Sequence, residues 1–377
     1  MSQKEFIGPN AIGKLADILS EVRPNNIFLV TGKSSYKTCG AEKKLEKLLK
    51  NFNLVYFNGF LPNPNINDVN NGIALFKKSK PDFVIAVGGG SVIDIAKAVN
   101  IISCQTGKPE DYIKGRALIE RQGKPLVAVP TTSGSGSEAT HFAVVYINGK
   151  KYSLAHHFIM PDYAIVDANL TLSLPIRITA ETGMDALSQA IESYWAVGST
   201  EKSKRYAQEA IELILENLRE ATNQPNLYSR IAMSEAAYLA GKAINISKTT
   251  APHAISYTLT YNHGIAHGHA VALTLGQMFI YNAKTDLYEI NDPRGKRYVD
   301  STTQELYKFL AVNSAEEACN LISNLMINIG LETRLTDFGL NDDDIKMAAG
   351  RVNLERLLNN PVRLTTATVK EILSSIK

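Results

Sequence analysis

Apolar positions along the chain follow two rhythms. In the first half, short unbroken runs of β-branched, aliphatic and aromatic residues recur at residues 26–30 (NIFLV), 54–57 (LVYF), 83–87 (FVIAV), 126–129 (LVAV) and 164–166 (AIV). Runs without polar alternation suit strands buried on both faces, and the helical patterns between them suit crossovers, so a parallel α/β sheet is expected. From about residue 174 the rhythm changes. Residues 178–197, 201–221, 229–244, 314–329 and 366–376 carry apolar residues at helical spacing, and no convincing strand lies among them. The pattern predicts an α/β dinucleotide-binding domain over residues 1–173 and an all-helical metal- and substrate-binding domain over 174–377, with the active site in the cleft between them.

Length and charge narrow the possibilities. A chain of 377 residues exceeds what one core usually organises. Its 40 Lys and Arg against 37 Asp and Glu leave a net charge of only +3, too little to point to nucleic acid or a membrane surface as partner. Cys39, Cys104 and Cys319 match no metal or redox spacing, which suits free thiols in a reducing compartment. The start MSQKEFIGPN has no apolar stretch behind its charge, and no apolar run approaches the ~20 residues of a membrane span. A cytoplasmic protein is expected.

Two turns are suited to phosphate. The run at 83–87 passes into Gly88-Gly89-Gly90-Ser91 and then a helical pattern, where backbone N–H groups and a helix N-terminus can meet an anion. A tight turn needs glycine for its own sake, so this alone has modest weight. A second turn after the next run, Pro130 to Glu138, places Thr131, Thr132, Ser133, Ser135 and Ser137 among glycines, and two ordinary loops would not need so many hydroxyl donors.

In the second half, Asp185 and Gln189 are spaced to share one helical face. Further on stand His253, His263, His267 and His269, four of the chain's seven histidines. One carboxylate, one amide oxygen and two imidazoles could hold a divalent ion such as Zn²⁺ or Fe²⁺ with a position open for substrate. Spacing does not choose among the four histidines, each of which taken singly is more often a core or capping residue.

The segments GGGSVIDIAK (88–97), PTTSGSGSEAT (130–140), TGMDALSQAIESY (182–194) and PHAISYTLTYNHGIAHGHAVAL (252–273) resemble the signature segments of the iron-containing, group III alcohol dehydrogenases, and LPNPNINDV (61–69) and NNPVRLT (359–365) resemble lesser landmarks. The resemblance covers essentially the whole chain. It implies a fold similar to dehydroquinate synthase and glycerol dehydrogenase, a nicotinamide cofactor (NADPH or NADH) and one catalytic divalent metal, and a homodimer is an expected assembly. By it the metal ligands are Asp185, Gln189, His253 and His267, of which Asp185, His253 and His267 also count as catalytic. The cofactor contacts are Gly89, Gly90, Ser91, Asp94, Thr131, Thr132, Ser135 and Thr140. Two positions depart from the family pattern: Gln189 replaces a usual histidine ligand, and Tyr257 replaces a further histidine four residues after His253. Family members restricted to NAD carry an acidic residue just after the first strand. Here Gly32 stands at that place, followed by Lys33 and Ser34, so NADPH is expected to be accepted.

Residues 140–175 and 185–197 are similar to a subgroup associated with phosphonoacetaldehyde reduction to 2-hydroxyethylphosphonate. Lys248, with Lys242 second, could meet the dianion. The function expected is reduction of a small aldehyde to a primary alcohol. The alternatives are a general short-chain alcohol dehydrogenase, a dehydroquinate synthase-like lyase, and a metal-free dinucleotide-binding sensor.

Overall fold

The computed structural model describes residues 3–286 and 288–377. Its chain divides into one unit ending at Leu174 and another running from Pro175 to Lys377.

The first unit carries strands β1 (Lys4–Ile7), β2 (Asn26–Thr31), β3 (Asn53–Phe57), β4 (Phe83–Gly88), β5 (Leu126–Pro130), β6 (Phe142–Ile147), β7 (Lys150–Ala155) and β8 (Tyr163–Val166). Six of them form a parallel sheet in the order β1-β8-β5-β4-β2-β3, while β6 and β7 pair as a separate antiparallel hairpin. Helices α1 (Leu15–Val22), α2 (Ser35–Thr38), α3 (Ala41–Leu49), α4 (Ile66–Ser79), α5 (Gly90–Ser103) and α6 (Pro109–Ile113) lie between strands. Phe28, Val30, Val84, Ala86 and Ala128 pack with α4 and α5, whereas Ile27, Leu29, Ile85, Val87 and Val127 pack with α1 and α3. Adjacent strand residues thus feed opposite cores, which is why these runs are apolar without alternation. From β2 the chain turns outward to β3, and from β4 it turns the other way to β5. The carboxyl ends of β2 and β4 therefore flank the topological switch point, where open α/β sheets bind ligands.

Two features of this unit lie outside the predicted elements. Edge strand β1 is mostly exposed, so its sequence KEFI has no apolar run. Hairpin β6–β7 turns on Asn148 and Gly149, both at positive φ (48° and 78°), as a two-residue turn of the mirror-image type requires.

The second unit is built from α7 (Ile176–Trp195), α8 (Glu201–Asn223), α9 (Leu227–Ser247), α10 (Ala251–His263), α11 (His267–Asn282), α12 (Lys296–Phe309), α13 (Ala315–Asn328), α14 (Asp342–Gly350) and α15 (Thr366–Ser375). Thr200, Asn226 and Thr365 open α8, α9 and α15 with capping boxes. Helices α10 and α11 escape the helical pattern expected of the second half because they are buried nearly all round and show no polar face. A Cβ on Gly268 would come within 2.0 Å of the Glu181 carbonyl oxygen and 2.7 Å of Asp185 Cβ, so only glycine lets α11 start this close to α7. No described helix is long and apolar enough to cross a membrane.

Candidate active site

Strand β4 ends at Gly88, beside Pro130 at the end of β5, and the Thr131 N–H donates to the Gly88 carbonyl (3.0 Å). The two turns therefore sit together. Gly89 caps α5 and its carbonyl accepts from the Val92 N–H (2.9 Å), leaving the N–H groups of Gly90 and Ser91 without partners along the helix itself. A Cβ on Gly90 would meet Ser135 Oγ at 2.5 Å, and one on Gly89 would meet Thr132 at 3.3 Å, so glycine is what lets the second turn close over the first. Across the switch point, the Gly32 N–H donates to the Val87 carbonyl (3.4 Å), and Lys33 and Ser34 are exposed just beyond it. Ser91 Oγ accepts from the Asn63 N–H (3.1 Å). Strand β5 is followed by a single 3-10 turn, Ser137–Ala139, and then the hairpin.

Asp94 and Thr140, expected at the cofactor, both take part in hydrogen bonds within the unit. Asp94 accepts from Ser137 Oγ (2.6 Å) and the Val144 N–H (3.0 Å), tying α5 to the second turn and to β6. Thr140 is buried, and its carbonyl (2.8 Å) and Oγ1 (3.1 Å) accept from Lys97 Nζ. Lys97, assigned no role from the sequence, is almost wholly buried and donates to oxygens of Ser137, Thr140 and Phe142. Burial pushes its pKa down to about 8, against the opposing pull of Asp94 and Glu138. Burial likewise raises buried Glu138 to about 7.

The helical unit gathers a second cluster. Ligand atoms of Asp185, His253 and His267 all lie within 4.8 Å of one another, with Asp185 and His253 buried and His267 partly so. His253 Nε2 stands 3.4 Å from Asp185 Oδ1, and the two imidazole rings are 5.3 Å apart and nearly perpendicular. Gln189 lies one turn along α7 and is also buried. Asp185 Oδ1 and Gln189 Oε1 are both buried without a hydrogen-bond partner. Orphaned buried oxygens beside two imidazoles fit a divalent cation, since such atoms otherwise cost on the order of 1–3 kcal/mol each.

Behind His253 stands Glu192, fully buried, the residue that sequence reasoning missed. Its carboxylate holds His253 Nδ1 and accepts from the Thr250 N–H (2.9 Å) and Thr250 Oγ1 (3.0 Å). A carboxylate behind an imidazole fixes its tautomer and strengthens it as a ligand. Its spacing from Asp185 and Gln189, seven and three residues, puts all three on one face of α7, the signal that could have revealed it. Burial acts to lower the pKa of His253, but Glu192 and Asp185 outweigh it and push it up to about 10.

The other histidines separate clearly. His269 is buried away from the cluster, its Nε2 at 2.7 Å from the Glu332 carbonyl and its Nδ1 at 3.2 Å from Arg177. His263 ends α10 just before the turn at Gly264 and is not among the clustered ligands. Of the two lysines, Lys242 has its ammonium over the rings of Tyr206 (4.8 Å) and Tyr238 (5.4 Å). Lys248 is exposed and terminates α9 at φ 63°.

Comparison with known proteins agrees with both halves. Residues 2–168 match iron-containing alcohol dehydrogenase, and residues 179–377 match the C-terminal region of the Fe-containing alcohol dehydrogenase family. Long-chain-alcohol dehydrogenase 1 of Geobacillus thermodenitrificans is 30% identical over 97% of this chain and 93% of its own length. The NADPH-dependent butanol dehydrogenase of Clostridium saccharobutylicum is 31% identical over 95% of this chain and 93% of its own. Among solved structures, sulfoacetaldehyde reductase from Bifidobacterium kashiwanohense in complex with NAD⁺ superposes with a TM-score of 0.89, at 30% identity, over 99% of this chain and 96% of that one. The chain belongs to the iron-containing alcohol dehydrogenase family and is an oxidoreductase of that family, which works with a nicotinamide cofactor and a divalent metal.

Proposed function

We propose that this enzyme reduces a short aldehyde with an anionic headgroup to its primary alcohol, with phosphonoacetaldehyde going to 2-hydroxyethylphosphonate as the candidate reaction. The observation that carries the chemistry is the pair of orphaned buried oxygens, Asp185 Oδ1 and Gln189 Oε1, beside His253 and His267. These four residues would hold the metal, Fe²⁺ or Zn²⁺; when bound, it polarises the aldehyde oxygen while a reduced nicotinamide delivers hydride to the carbonyl carbon. Glu192 keeps the His253 ring oriented with Nε2 towards Asp185. Tyr257, its ring stacked 5.8 Å from His267, offers a phenol where relatives offer an imidazole, so the proton that completes the alcohol comes from water or a hydroxyl.

The anionic headgroup is supported by the likeness to a sulfoacetaldehyde reductase, whose named substrate is also a short aldehyde ending in an acid group. The cofactor side rests on the turns at Gly32 and Gly89. With no carboxylate at Gly32 and an exposed Lys33 beside it, NADPH is accepted as well as NADH. Three free cysteines suit a cytoplasmic setting.

The test is a kinetic comparison of phosphonoacetaldehyde, sulfoacetaldehyde and propanal, each with NADPH and NADH, on protein of measured metal content. Preference for the charged aldehydes and use of NADPH are expected. Preference for propanal would leave a general alcohol dehydrogenase, and strict use of NADH would refute the cofactor reading alone.

A further inference from the structure

Behind Tyr257 stands a cation that the chemistry above does not use. Arg356 lies in the 3-10 turn Leu354–Asn359, its guanidinium carbon 5.2 Å from the centre of the Tyr257 ring and its Nη1 3.5 Å from the phenol oxygen. The same ring has a functional neighbour: Tyr257 and His267 are stacked at an interplanar angle of 19°. Arg356 and His267, a member of the cluster, thus share Tyr257 as a neighbour.

The turn bearing Arg356 is fastened to the segment that precedes His253. Asn359 Nδ2 donates to the carbonyls of Ser247 and Thr249, both at 2.9 Å, and its Oδ1 accepts from the Gly198 N–H (3.0 Å). Leu357 anchors the other side in the core. Arg356 is partly buried, and among the described residues no carboxylate comes within ion-pair distance of it. An arginine on a fastened turn, partly buried and without a counter-ion among the described residues, is suited to an oxyanion, which its planar fork grips through two parallel hydrogen bonds. The two lysines suggested by the sequence serve less well, since Lys242 lies over two tyrosine rings and Lys248 projects into solvent.

We propose that Arg356, held against Tyr257, is the residue that selects an anionic substrate by binding its phosphonate or sulfonate group while the aldehyde end reaches the Asp185–His253–His267 cluster. This rests on the anionic-aldehyde reading of the function. A cation–π contact with Tyr257 alone is the competing role, with Arg356 merely bracing the ring.

The two roles separate in a substrate comparison. Parent, Arg356→Gln and Arg356→Lys are assayed on phosphonoacetaldehyde and on propanal at equal metal content and with one cofactor, and kcat and KM are read separately. Arg356→Gln is expected to lower kcat/KM for phosphonoacetaldehyde by about thirtyfold, mainly through KM, as loss of a charge-assisted pair requires, while the ratio to propanal falls in step. Arg356→Lys, which keeps the charge without the fork, should fall between and carries the same comparison if the glutamine variant folds poorly. Equal losses on both aldehydes would overturn the proposal in favour of bracing. Parent preference for phosphonoacetaldehyde that survives Arg356→Gln would sink this assignment alone, whereas parent preference for propanal would sink the anionic reading with it.

Discussion

Each unit of this enzyme buries a knot of ionisable side chains, and the two knots differ in one respect. In the α/β unit, Lys97 donates to oxygens of three residues and Asp94 takes the Ser137 hydroxyl and the Val144 N–H. In the helical unit, Glu192, Thr250 and His253 satisfy one another, but the cluster stops short at Asp185 Oδ1 and Gln189 Oε1. A closed buried network locks a fold together, while one that ends on unpaired oxygens awaits a ligand. Burial and shifted pKa values occur in both, so neither separates framework from site. Satisfaction does.

The strongest blow to this contrast is removal of a ligand from the open cluster. His267→Ala is expected to lose both retained metal and turnover while unfolding near the parent midpoint. Full activity of that variant, or of demetallated parent, would take the metal out of the reaction.

The converse change strikes the closed network. Lys97→Met should cost about 3–5 kcal/mol of stability, the usual consequence of removing one partner from a buried ionic group. Denaturant unfolding measures it, and a loss under 1 kcal/mol would show the network to be slack. The pH dependence sharpens the point. With Lys97 depressed to about 8 from 10.5, the unfolded chain holds that proton more tightly between those values, so stability rises with pH across the window and is lost as pH falls towards 8. Lys97→Met should lack that part of the slope.

A smaller effect is expected one step behind the ligands. Glu192→Gln leaves Asp185, His253 and His267 in place but weakens the hold on His253, and should lower metal affinity about 10–100-fold. Competition with a chelator reads this directly, and unchanged affinity would reduce Glu192 to a structural group.

The mildest change runs the other way. Gln189→His replaces an amide oxygen by imidazole and should tighten metal binding by about tenfold, some 1.4 kcal/mol. If affinity does not move, the Gln189 side chain does not reach the ion.

Much of this arrangement was legible in order of local signal. The runs at 26–30, 83–87 and 126–129 announce buried parallel strands because both faces of β2, β4 and β5 pack on helices. Edge strand β1 does not, since an exposed strand needs no apolar run. The hairpin β6–β7 was missed although Asn148-Gly149 marks its turn. Glu192 was within reach as a third member of the α7 face. Lys97, by contrast, looks like any helical lysine until the second turn and the hairpin close over it.

By itself the sequence determined what local periodicity and backbone chemistry encode: an α/β half followed by a helical half, two glycine turns able to lie against phosphate, and Asp185 and Gln189 on one helical face. Spacing leaves four histidines open and the family resemblance points to His253 and His267; the tertiary structure is what brings those two to Asp185. Gly268 lets α11 begin against α7 and brings His267 to Asp185, while His269, two residues on, is turned to Arg177 and the Glu332 carbonyl. It also decided that Arg356, far along the chain, stands behind Tyr257. Contacts between distant segments depend on how helices pack, and no residue spacing within one segment records them.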